Sequence, residues 1–443
     1  MDNRIRDIVE ATSFIDTHEH LVEERTRLAP TTTPLLPAGD WADLFSQYVS
    51  DDLLSAGMPA DLLQRLLSPE TSVVEKAQLL EPWWQRMRQT GYGLALRLSL
   101  KTLYGENDVS VTSAHRIAEK FSDGVRPGFY RALLRDVARI EHCQVNSLER
   151  IFMTTAEPDL LRQDLSFVEL ARCSLADVDL LERETGVRAS SLDAWLAIID
   201  GMFERHGPSA VAIKNQSAYA RGLDYRPVSK ARAAKAFNEM VSPWGQYSPD
   251  SARLLHDFCF RYCLTKAAER RLPVKLHTGY YAGQGPMPLE RLRDNAADVG
   301  QLLLDFPATT FVLMHLGYPY QDEHIALAKR HDNAVIDMCW TWIINPAASV
   351  RFLREFLMAA PASKLLSFGG DHIMVENVVG HAMIARRGIT EALAGLVESG
   401  WLDFAEVRPL VERLMNGNAR AIFAKPSAGR VLPTETAQYN HVV

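Results

Sequence analysis

The 443-residue chain is notable first for what it lacks. No uninterrupted apolar run reaches the ~18 residues that a membrane-spanning helix needs, so a membrane protein is not expected. The five cysteines (Cys143, Cys173, Cys259, Cys263, Cys339) form no Cys-x-x-Cys pair and are too scattered for a disulfide framework. A reducing, cytoplasmic setting is the expectation. The opening MDNRIRDIVEAT carries no apolar segment of the secretory kind. There is no run of lysine or arginine, and the net charge is −7 with both signs interspersed. That pattern argues against nucleic acid as a partner. Internal repeats and low-complexity tracts are also absent. A soluble globular protein remains, long enough for one large barrel or two ordinary domains.

Within that frame, the segment Phe14-Ile15-Asp16-Thr17-His18-Glu19-His20 stands out. An apolar run ends in two histidines spaced two apart, and on a strand such residues share a face. Both imidazoles then converge on one point, which suits a divalent metal. With 13 histidines in the chain, chance supplies about 0.4 such pairs, so the motif needs context.

The context is strand–helix alternation. Residues 13–16 read as a first strand. Residues 21–130 then read as a long helical insertion. It includes a Pro/Thr-rich loop from Leu28 to Asp40 and an amphipathic stretch over 72–104, with Val73, Leu79, Leu80, Trp83, Trp84 and Met87 at helical spacing. Trp83 and Trp84 are expected to fill a helical core or a subunit interface. Seven further strands are expected at 150–155, 166–171, 209–214, 272–277, 309–315, 333–338 and 364–370. Helices are expected at 190–205, 250–270, 288–305, 320–331 and 346–360. Eight short strands separated by helices make a single (β/α)8 TIM barrel over 1–443 the economical reading. The insertion would form a cap or an oligomer surface.

A barrel places its active site where its strands end. His277 ends the fifth candidate strand (VKLHTGY), His315 the sixth (VLMHLGYP), and Asp371 follows the eighth (SFGGDH). With His18 and His20, four histidines and one aspartate gather at strand ends. Imidazole nitrogen and carboxylate oxygen bind borderline cations such as Zn²⁺, Mn²⁺ or Fe²⁺. Asp371 suits ligation, proton transfer, or both; N-capping the following helix is its structural alternative. Tyr280, Tyr281, Trp340 and Trp342 follow strand ends, so each either lines the pocket mouth or packs beneath it. Cys339 has no assignable base partner and is not read as a nucleophile.

In the order and spacing of these motifs, together with the C-terminal NGNARAIFA, the chain resembles the amidohydrolase superfamily. Within it, the chain is most similar to the amidohydrolase-2 family, related to the uronate isomerases. The resemblance implies one divalent metal, zinc foremost, with manganese or iron as alternatives. It implies His18, His20 and Asp371 as metal ligands and His277 as a third histidine ligand or close neighbour. It also implies His315 as a polarising or acid/base group and Asp371 as the proton shuttle. Lys214 ends the fourth candidate strand in AIKNQSAYARGL. Together with Tyr219 and Arg221 it suits recognition of a substrate carboxylate, because arginine offers a fork and lysine a point charge. A carbamylated, metal-bridging Lys214 and a plain salt bridge are the alternatives.

The expected function is metal-dependent hydrolysis of an amide, ester or lactone in a small, carboxylate-bearing molecule. Non-oxidative decarboxylation and aldose–ketose isomerisation of the uronate type are the alternatives on the same site. A non-catalytic binding protein on a degenerate barrel is the reading from another class, and the intact set of five groups argues against it. A homo-oligomer is expected.

Overall fold

In the computed structural model, residues 3–29, 32–241, 248–283 and 285–424 are described. Among the described residues nine strands run parallel: β1 (Phe14–Glu19), β2 (Ile140–Val145), β3 (Leu161–Gln163), β4 (Leu165–Ser166), β5 (Ile213–Asn215), β6 (Val274–Leu276), β7 (Phe311–Leu313), β8 (Ala334–Asp337) and β9 (Leu365–Leu366). They pair in sequence order in two arcs, β1-β2-β3 and β4 through β9. Asp164 separates β3 from β4, so these two short strands occupy one barrel position and the eightfold arrangement holds. Backbone bonds join the arcs on both sides. On one side Val211 N donates to Gln163 O at 2.9 Å. On the other Thr17 N donates to Phe368 O at 3.1 Å and Asp371 N to His18 O at 2.9 Å. The chain is therefore a (β/α)8 barrel, and β1 is held directly against the segment that carries Asp371.

The early strands differ from expectation. Residues 150–155 form an irregular connection, and the 166–171 segment is helical from Val168 to Arg172. The true second and third barrel positions, IEHCQV and the LRQ-Asp164-LS stretch, place His142, Gln144, Gln163 and Asp164 among their buried residues. Polar buried positions erase the apolar signal by which a parallel strand is recognised. The later helices fall as expected, at Leu192–His206, Pro249–Arg270, Leu289–Asp305, Gln321–Arg330 and Pro346–Ala359.

Between β1 and β2 lie nine helical segments among the described residues, from Glu24–Leu28 to Ala132–Val137. The 72–104 stretch resolves into two helices, Val73–Met87 and Gly91–Tyr104, because Thr90 caps the second by accepting from Gly93 N. Trp84 is fully buried and bonded through its indole to Asp108, whereas Trp83 is half-buried under Arg86. The second helix packs against the long helix Val375–Glu398 that follows Asp371. Gly380 lies where the two cross: a Cβ there would stand 1.8 Å from Ala95 O. The obstacle is backbone, which cannot swing aside as a side chain can. Gly380→Ala is expected to destabilise the fold by about 3 kcal/mol or more through overpacking. Thermal unfolding should show a clearly lowered midpoint; an unchanged one would mean that the crossing is looser than described.

Candidate metal centre

The C-terminal ends of the strands bring three of the expected groups together. His18 Nε2 lies 3.0 Å and His20 Nε2 3.2 Å from Asp371 Oδ1. The ligand atoms of His18, His20 and Asp371 all fall within 4.8 Å of one another, and all three residues are buried. His315 approaches from β7, its Nε2 3.9 Å from the second carboxylate oxygen, Oδ2. His315 and Asp371 adopt φ values of 60° and 63°, left-handed backbone that is rare for residues other than glycine. Such conformations cost energy and tend to gather at functional sites. Asp371 does not cap the following helix: that helix starts after Met374 without a side-chain cap.

The surroundings fix which ring nitrogen faces inward. His20 Nδ1 is 2.6 Å from Asn146 O, and His315 Nδ1 is 3.1 Å from Cys339 O. A carbonyl can only accept, so each Nδ1 carries the proton and each Nε2 presents a lone pair. Burial pushes the His20 and His315 rings toward the neutral form against the pull of Asp371, with His315 lowered to about 4. Burial alone would raise the Asp371 carboxyl, but His18, His20 and His315 together hold it well below the usual carboxylate range. His18 Nε2, His20 Nε2 and Asp371 Oδ1 thus form a compact, buried set of nitrogen and carboxylate donors, the kind that holds a divalent cation, so the residues fit a metal.

The other expected residues lie at varying distances from this group. His277 turns Nε2 onto Tyr280 O at 2.9 Å and lies beside His315, ring centroids 4.4 Å apart and planes tilted by 59°, outside the three-residue cluster. Lys214 is buried with Nζ 3.4 Å from His18 Nε2, and burial lowers its pKa. Its Nζ thus faces the same His18 nitrogen that faces Asp371, and it does not line the cavity wall. Tyr219 does reach the wall, with its ring 4.6 Å from that of His277. Arg221 does not: it donates to Asp257 Oδ1 at 2.6 Å and lies over Tyr225, and its unpartnered Nη1 is buried away from the cavity wall. Trp340 stacks on Tyr48 at 4.6 Å, and Trp342 donates to Ser367 O; both are packing residues. Cys339, read without a base partner, has its Sγ 3.3 Å from His315 Nδ1, but the thiol is buried and its pKa pushed well up.

A cavity of about 540 Å³ opens above Asp371, His20 and His277. Residues between β1 and β2 form one wall. Tyr48 Oη and Gln47 Nε2 both donate to the main-chain oxygen of Asp371, at 2.5 and 2.9 Å. Arg172 lines the opposite side; Nε and Nη2 are held by Asp177 at 2.8 and 2.5 Å. It is the sole lysine or arginine among the described residues of this wall. Asn146, Gln47, Tyr48 and Arg172 were not legible as site residues, since nothing near them in sequence shows that distant segments fold onto the barrel mouth.

A parallel barrel with a His–His–carboxylate group at its C-terminal face defines a metal-dependent barrel enzyme. The chain belongs to the amidohydrolase family, whose profile (Amidohydro_2) matches residues 177–425. It is 26% identical over 227 residues to protein fluG of Emericella nidulans, a match that spans 49% of this chain and 25% of that protein. Among solved structures, glucuronate isomerase from Caulobacter crescentus superposes with a TM-score of 0.74 at 17% identity, covering 95% of this chain and 93% of that one. Uronate isomerase from Thermotoga maritima superposes with a TM-score of 0.73 at 16% identity, covering 95% and 96%. At such identities the likeness concerns the fold. Among the described residues no helix is long and apolar enough to cross a membrane.

Proposed function

We propose that this protein is a metal-dependent hydrolase that cleaves an amide, ester or lactone in a small, carboxylate-bearing molecule. The supporting observation is the convergence of His18, His20 and Asp371 on one point at the floor of a cavity of small-molecule size. A divalent cation held there, zinc in this reading, supplies Lewis acidity to water and to the scissile carbonyl. His277 completes the ligand set through Nδ1. Asp371 Oδ2 and the neutral Nε2 of His315 are the groups that receive a proton during the reaction. Arg172 takes the carboxylate-binding role that Arg221 cannot fill, since Nη1 has no partner among the described residues once Asp177 holds the rest of the fork. Gln47 and Tyr48 fix the Asp371 backbone from the helical insertion, which acts as a cap.

A second reading is isomerisation of a uronate. The likeness to the two isomerases runs along 95% of the chain, and so includes the helical segment between β1 and β2. The two reactions leave different marks. Hydrolysis places oxygen from ¹⁸O-labelled water in the product, whereas isomerisation admits solvent deuterium at a substrate carbon and no oxygen.

Metal content comes first. Natively purified protein is expected to hold close to one equivalent of zinc per chain by elemental mass spectrometry. Dialysis against a chelator should abolish activity, and added zinc should restore it. Two equivalents would make Lys214, in carbamylated form, the bridging ligand beside His18. Full activity without metal would overturn the proposal.

A further inference from the structure

The opposite end of the barrel holds a second cavity, of about 940 Å³, that shares no lining residue with the one above Asp371. Its walls come from the starts of the early strands and from the C-terminal helix, as Ile15, Arg162 and Ala419 show. The lining carries charge of one sign: three arginines, with no aspartate or glutamate among the described residues, while burial holds its two histidines, His142 and His206, toward the neutral form. Arg420 is already engaged by Glu141 and by Asn416 Oδ1. Arg162 and Arg205 are exposed and form no ion pair among the described residues.

Deeper in the same cavity, Gln144 is fully buried with neither amide atom partnered, and Gln163, nearly as buried, leaves its amide oxygen unpartnered. Buried polar atoms without partners are uncommon, and a bound molecule is one reason for them. Phe152 and His206 stack at 4.6 Å to give a flat, largely apolar wall beside these groups. Two unpaired guanidinium groups at the entrance, unpaired amides within and a flat wall between them match one ligand chemistry. An anionic head group meets the arginines, a ring lies on Phe152, and a polar substituent reaches Gln144.

We propose that this cavity binds a small organic oxyanion, a carboxylate or a phosphate ester on a flat body, at a site separate from the catalytic one. The assignment rests on this cavity alone and holds whichever reaction the metal centre performs.

Isothermal titration of the full-length, metal-loaded protein with benzoate, phenyl phosphate and neutral benzyl alcohol tests it. At least one of the two anions is expected to bind tenfold or more tightly than benzyl alcohol, and the stronger of the two identifies the head group. Arg162→Gln combined with Arg205→Gln should weaken that binding at least tenfold, and both side chains are exposed, so the fold should tolerate the change. Phe152→Ala is the second variant, expected to weaken both anions and to leave inorganic phosphate unaffected. Asp371→Asn should bind the anions as the wild type does. Equal affinity in the arginine double variant, loss of binding in Asp371→Asn, or no saturable binding of either anion would each overturn the proposal.

Discussion

Asp371→Asn is expected to lower kcat by roughly 10³-fold or more while leaving the protein folded. The substitution removes charge and little else. Asparagine is among the non-glycine residues that best tolerate left-handed backbone, so the φ of 63° at this position survives. The main-chain oxygen that accepts from Gln47 and Tyr48, and the N–H that donates to His18 O, are untouched. What is lost is the anion on which the His18 and His20 nitrogens converge at 3.0 and 3.2 Å. An amide is a weak ligand and no base, so metal content should fall together with turnover. The measurement is paired: bound zinc per chain and kcat on the same preparation, with circular dichroism to confirm the fold. A variant that kept its metal and still lost turnover would assign Asp371 to proton transfer more than to ligation. A variant that kept both would remove Asp371 from the site.

Much of this candidate site is legible in the sequence, for a physical reason. Metal ligands must be His, Cys, Asp or Glu, and a barrel must present them at strand ends, so His18, His20, His315 and Asp371 had few places to hide. The later strands, such as FVL and LL, are buried on both faces and read as apolar runs. Legibility failed where the partner is distant in sequence. Arg221 looks like a free guanidinium until the helix Pro249–Arg270 brings Asp257 against it. Lys214 looks like a substrate contact until the barrel buries it against His18 Nε2, off the cavity wall. Tyr48 and Gln47 belong to an insertion whose fold-back onto Asp371 is a tertiary event without a local signature.

Lys275→Met should cost about 3–5 kcal/mol of stability, the largest effect expected of any change away from the metal ligands. Lys275 is wholly buried on β6, and its Nζ donates to Asp164 Oδ2 at 2.7 Å and to Thr17 O at 2.8 Å. One ammonium thus ties β6 to the break between β3 and β4 and to the strand that bears His18 and His20. Burial pushes the Asp164 carboxyl up, and Lys275 only partly offsets this, so the pair as a whole contributes little net stability. Methionine leaves Asp164 buried with one oxygen already unpartnered and the other newly so. The cost is that of a stranded carboxyl, not of a lost attraction. The distinction can be measured. Asp164→Leu in the Lys275→Met background should recover a substantial part of the loss, because both polar groups then leave together. Chemical denaturation followed by circular dichroism gives the four corners of the cycle at matched metal loading. A single variant whose transition overlays the wild type, or a double variant less stable than Lys275→Met, would show that Asp164 is not stranded. Thr17 O sits one residue before His18, so the same substitution should also loosen metal binding. Recovery of stability without recovery of zinc affinity would then separate the two jobs of this lysine: neutralising Asp164 and holding the first strand in place.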